Sequence, residues 1–114
     1  MLIVNKKTTI LIKKANRCLD TRDFKGALRY LNRALRFDPH YPEIYIKIAY
    51  IYSRLNDYEN SLETYERAIQ YVVNPNLRKV LNQKVEKLGS ILRMGRSSAS
   101  KGNISTDGIE KSNE

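Results

Sequence analysis

Shifted against itself by 34 residues, the chain aligns 8–41 with 42–75 without a gap. Eight positions become identical: Ile10/Ile44, Ile12/Ile46, Lys13/Lys47, Ala15/Ala49, Asp23/Asp57, Leu28/Leu62, Arg33/Arg67 and Ala34/Ala68. Conservative pairs such as Phe24/Tyr58, Ala27/Ser61 and Leu35/Ile69 fill in the pattern. Duplication of one supersecondary unit is the simplest account, and it narrows the fold to a stack of like elements. Two such units bury a limited core, since about three are usually needed for stability.

Each unit divides into two helices. In the first, Leu11, Ala15, Cys18 and Leu19 recur at helical spacing as far as Asp20. Asp23 then stands where its carboxylate can accept the free N–H groups of a new helical turn. Phe24, Ala27, Leu28, Leu31, Ala34 and Leu35 form the apolar stripe of the second helix. The run Asp38-Pro39-His40-Tyr41-Pro42 breaks the helix, because proline has no N–H and restricts the residue before it. Pro42 suits the first position of the next helix. The second unit repeats the plan with Tyr45, Ala49 and Tyr52, an Asp57 cap, then Tyr58, Ser61, Leu62, Tyr65, Ala68 and Ile69. Small residues at 15, 27, 34, 49, 61 and 68 fall where paired helices approach most closely.

These residues resemble the tetratricopeptide repeat family. Ala15 and Ala49 match its small residue in the first helix, and Asp23-Phe24 and Asp57-Tyr58 its acidic-aromatic turn. Ala34 and Ala68 match its most regular alanine, and Asp38-Pro39 its terminal proline. The chain departs from the pattern at Leu11, where an aromatic is usual, at Cys18 in place of tyrosine, and at Val73 in place of the terminal proline. The resemblance covers 8–75 and implies an all-α fold: two helix-turn-helix repeats in a short right-handed solenoid.

After Asn74-Pro75, the spacing of Leu77, Val80, Leu81, Val85, Leu88, Ile91 and Leu92 predicts a closing helix over 75–94. Its other face is polar, which suits a cap on a repeat array better than the first helix of a third repeat. The expected domain is 1–95, followed by a disordered Ser-, Gly- and Asn-rich tail over 96–114.

The chemistry of the chain excludes more than it offers. One cysteine, Cys18, allows no internal disulfide and makes no metal-ligand spacing with the single His40. No glycine-rich phosphate loop and no paired nucleophile and base occur, so neither catalysis nor a cofactor is expected. His40 reads as an exposed turn residue and Cys18 as packing. Asn5, Lys6 and Lys7 split the apolar residues of 1–12, so neither a leader nor a membrane span is expected there and a cytoplasmic setting is the default. The net charge of +9 is uneven: 1–37 carries +8, 38–70 carries −3 and 71–96 carries +5.

The resemblance to the tetratricopeptide repeat family implies that the function is binding. In the family resembled, one face of the first helix of each pair lines a concave groove. Here that face takes in Ile12, Asn16 and Asp20 from one unit and Glu43, Ile46, Tyr50 and Arg54 from the other. Tyrosine and arginine combine a large contact area with a polar end, which makes Asn16, Tyr50 and Arg54 the expected central contacts for a peptide or protein partner. The family's carboxylate-binding set is met at Asn16, but Ile12 stands where it needs a lysine, which argues against recognition of an acidic C-terminus.

A second surface is the basic stripe Lys25, Arg29, Arg33 and Arg36, whose counterparts one unit later are Glu59, Glu63, Arg67 and Gln70. The stripe reads either as cross-repeat ion pairing or as an electrostatic docking surface. An RNA- or nucleic-acid-binding role is the alternative function, weakened by the lack of interleaved exposed aromatics. The apolar face of the closing helix could also serve a second copy of the chain.

Overall fold

The computed structural model describes residues 3–99. They form five α-helices: α1 (Lys6–Asp20), α2 (Phe24–Phe37), α3 (Pro42–Arg54), α4 (Tyr58–Tyr71) and α5 (Pro75–Ala99). Each packs on its neighbour along the chain, α1 on α2, α2 on α3, α3 on α4 and α4 on α5. This is the all-α repeat solenoid that the 34-residue self-match predicts.

The helices start and stop for local reasons. Asp23 accepts from the Gly26 N–H at 3.0 Å, and Asp57 accepts from the Asn60 N–H at 3.3 Å. Gly26 lets the first cap close tightly, for a Cβ there would lie 2.2 Å from Asp23 Oδ2. Pro42 opens α3. Before Pro75, Asn74 caps α5 by accepting from the N–H groups of Asn76 and Leu77. In both units the residue before the acidic cap is left-handed, Arg22 at φ 59° and Asn56 at φ 61°.

Two apolar clusters stack along the solenoid. The first joins Leu11, Ile12 and Ala15 of α1 to Ala27, Leu31 and Ala34 of α2 and to Ile44, Ile48 and Ile51 of α3. The second joins Tyr45 and Ala49 of α3 to Tyr65 and Ala68 of α4 and to Leu81 and Leu88 of α5. Helix α3 serves both, which explains why its sequence is apolar on nearly every side: a helix enclosed between two others has little face left for water. The small residues are fully buried as expected, and Ser61 Oγ donates to the Ala49 carbonyl at 2.8 Å, so a hydroxyl at this contact is satisfied.

Two contacts tie the ends of the helices together across long stretches of chain. The Asp38 carboxylate at the end of α2 accepts from the Asn5 N–H at 2.9 Å and from the buried Thr8 hydroxyl, holding the start of α1. In the turn that follows, His40 lies against Tyr71, ring centroids 4.8 Å apart, and Tyr71 stacks on Tyr45 at 5.6 Å. Tyr45 then donates to the Pro39 carbonyl at 2.7 Å, which fastens the inter-unit turn to α3.

Helix α5 differs from the expected closing helix in length. It runs past 94 to Ala99, into the stretch expected as a polar tail, and the rest of that tail lies outside the described residues. Leu81 and Leu88 seat it on α4, whereas Val80, Ile91 and Met94 stay exposed.

Candidate functional site

The first helices of the two units, α1 and α3, are joined by the hydrogen bond from Lys47 to Asn16 and by a shared recess, and the geometry there sorts the expected contacts into three groups. Asp20, Tyr50 and Arg54 come together around a shallow recess of about 230 Å³, with Leu19, Arg22 and Phe24 completing its wall. Tyr50 of α3 is 46% exposed, while Tyr45 of the same helix and Tyr65 of α4 are buried. Burial raises the pKa of Tyr65, with a smaller push from Tyr50 beside it, so the inner phenol stays neutral.

Asn16 and Glu43 belong to the second group, which holds the face together. Tyr41 donates to Glu43 at 2.7 Å, Glu43 faces Lys47 at 3.9 Å, and Lys47 donates to Asn16 Oδ1 at 3.0 Å. The chain of contacts crosses from the inter-unit turn through α3 to α1. Asn16 therefore anchors one unit to the other through its side-chain oxygen. The hydrogen bond from Tyr41 to the Glu43 carboxylate is the main reason the phenol's pKa is pushed up to about 12.

Ile12 and Ile46 make up the third group, and here the expectation needs correction. Ile12 is only 8% exposed and packs in the first cluster among Leu11, Ala15 and Leu31. The apolar stripe of α1 is wide enough to include it, so it is core rather than groove. Its counterpart Ile46 is half-buried against the second cluster.

Sequence reasoning did not single out Arg22, and it read Phe24 as part of the apolar stripe and the acidic-aromatic turn rather than of a site. Arg22 could have been found from its counterpart: Asn56 suits a left-handed position, whereas arginine there carries a conformational cost of about 1 kcal/mol. Arg22 thus combines a left-handed backbone with a place on the wall of the recess. Further along the same side, Ser53 and Tyr65 meet Lys84, Lys87 and Leu88 of α5 around a recess of about 180 Å³. The closing helix thus extends the face and adds two cations to it.

The basic stripe Lys25, Arg29, Arg33 and Arg36 is exposed along α2. The ion pairs Lys47–Glu43 and Arg67–Glu63 both lie within single helices, so neither joins the stripe to α4.

Cys18 is half-buried against the first cluster, and burial, followed by the nearby Asp23, raises its pKa, which favours the thiol over the thiolate. Among the described residues no group of three or more His, Cys, Asp or Glu side chains could hold a metal ion. None of the described helices is long and apolar enough to cross a membrane.

A tetratricopeptide repeat family model matches residues 19–83, from the end of α1 into α5. That span is more than half of the 114 residues and reaches beyond the 34-residue self-match at its C-terminal side. No curated protein matches the sequence at a significant level.

Proposed function

Because the chain belongs to the tetratricopeptide repeat family, which mediates protein–protein interaction, we propose that it is a non-catalytic adaptor whose concave groove takes a peptide or protein segment. Tyr50 would be the central anchor, flanked by Arg54 and Asp20, with Arg22 on the rim. The observation that carries this reading is the exposure of Tyr50 at a recess between two units, where every other tyrosine of α3 and α4 is buried or half-buried. A tyrosine held by a rigid helix loses little conformational freedom on binding and offers both a ring and a hydroxyl. Asp20 and Arg54 place opposite charges beside it, which fixes the orientation of a bound segment more than it adds to affinity. Lys47, tied to Asn16 and Glu43, keeps α1 and α3 in register beneath the site.

The test is a pull-down with the full chain from native lysate, with and without nuclease, followed by titration of the recovered partner. Tyr50→Ala and Arg54→Glu are expected to weaken binding by about tenfold or more each, as truncated anchors do. Retention of full affinity by both variants would overturn the groove reading. Loss of the partner on nuclease treatment would replace it with the nucleic-acid alternative.

A further inference from the structure

The outer face of α1 is equivalent, position by position, to a face that the same fold buries one unit later. On α3, Ile44, Ile48 and Ile51 are sealed into the first cluster against α2. Their counterparts on α1 are Ile10, Lys14 and Arg17, all exposed. Ile44 is 0% exposed and Ile10 is 53% exposed, although the two residues are identical and sit at the same place in their units.

Beside Ile10 lies a recess of about 310 Å³, walled by Lys7, Leu11, Arg33 and Phe37. Lys7 extends over the Phe37 ring, its amino group 5.3 Å from the centroid, and Lys14 over Tyr30 at 5.8 Å. An apolar hollow thus opens between cations on both sides.

A polar end cap would explain the charges if they were mixed in sign, since solubility needs charge but not one kind of it. They are not mixed. Lys6, Lys7, Lys13, Lys14 and Arg17 line α1 before its one acidic residue, Asp20, at the far end. A face of one sign repels itself and is maintained at a cost to the compact state. It also disfavours a second copy docked by its own α1 face or by α5, where Arg78, Lys79, Lys84 and Lys87 are exposed, since like charges would meet.

We propose that this end face docks an acidic amphipathic helix from a partner protein, laid across α1 as α2 is laid across α3. One apolar side chain of that helix would fill the hollow at Ile10 and Phe37, and its Asp or Glu flanks would meet Lys7, Lys14 and Arg17. Nucleic acid fits less well, because Lys7 and Lys14 already occupy the ring faces on which bases would stack. A lipid surface fits less well too, because the apolar floor is recessed rather than protruding. The surface is separate from the groove at Tyr50 and does not depend on it.

The full chain is titrated with a labelled helical peptide that carries leucines at i, i+3, i+4 and i+7 between glutamate flanks. The same residues in scrambled order, a single-stranded oligoribonucleotide, and phosphatidylcholine vesicles containing phosphatidylserine serve as comparisons. The patterned peptide is expected to bind about tenfold or more tightly than its scrambled isomer, with affinity falling as salt rises. The double variant Lys14→Glu with Arg17→Glu, and separately Ile10→Ala, should each weaken it about tenfold, with helical content unchanged because all three side chains are exposed. Tyr50→Ala should leave it intact. Equal binding of the two peptides, indifference to the α1 variants, loss on Tyr50→Ala, or preference for RNA or vesicles over the patterned peptide would each overturn the proposal.

Discussion

The two units present one design in two settings. Unit two is enclosed: α3 buries Ile44, Ile48 and Ile51 under α2 on one side and Tyr45 and Ala49 under α4 and α5 on the other. Unit one is enclosed on one side only, and its outer positions are Ile10, Lys14 and Arg17. Even the helix ends are held differently. Unit one closes with the Asp38 carboxylate on Thr8 and Asn5, whereas the equivalent of Asp38 in unit two is the buried Val72. The comparison teaches that a repeat fixes the path of the backbone, while burial and charge follow from what lies on the next layer.

Swapping equivalent residues breaks this comparison most directly. Ile44→Lys places an unpaired charge in the first cluster and should cost about 3–5 kcal/mol in urea denaturation. Ile10→Lys, the same change one unit earlier, should move stability by no more than about 0.5 kcal/mol. Equal costs would mean that the outer face of α1 is covered in the folded chain, and the contrast between the units would collapse.

The features that repeat were legible in the sequence, and the features that differ between the units were not. Ala15, Ala34, Asp23 and Asp57 announce themselves because helix contact and helix capping act over a few residues and recur at a fixed interval. The pairing of Thr8 with Asp38, and the His40–Tyr71–Tyr45 stack, join residues some thirty apart that no periodicity links. The recess at Tyr50 was legible in part. Tyr50, Arg54 and Asp20 meet as the repeat pattern suggested, but Ile12 is drawn into the core because α1 buries a wider stripe than helical spacing alone implied.

A smaller effect separates the two left-handed positions. Arg22→Gly should stabilise the fold by about 0.5–1 kcal/mol, because glycine adopts positive φ without the Cβ clash. Asn56→Gly should gain only a few tenths, since asparagine already tolerates that region. If Arg22→Gly raises the melting temperature and weakens partner binding together, the arginine is retained for its side chain at the groove. If it lowers stability, the guanidinium holds the turn, and the assignment of Arg22 to the rim is wrong.

The smallest expected effect lies at Tyr41, whose counterpart in unit one is Lys7. The phenol donates to Glu43 at 2.7 Å, and its pKa is pushed up to about 12 from 10.0. A raised pKa in the folded state means that the neutral phenol is favoured by folding. Its contribution is therefore complete below pH 10, declines as the unfolded phenol ionises first, and is lost by about pH 12. Other tyrosines also titrate in this range, so the useful quantity is a difference. Tyr41→Phe should be less stable than the parent at pH 8 and should lose less stability between pH 9 and 12, as read by urea unfolding at each pH. Identical slopes for Tyr41→Phe and the parent would show that the contact from Tyr41 to Glu43 does not hold the junction between the units.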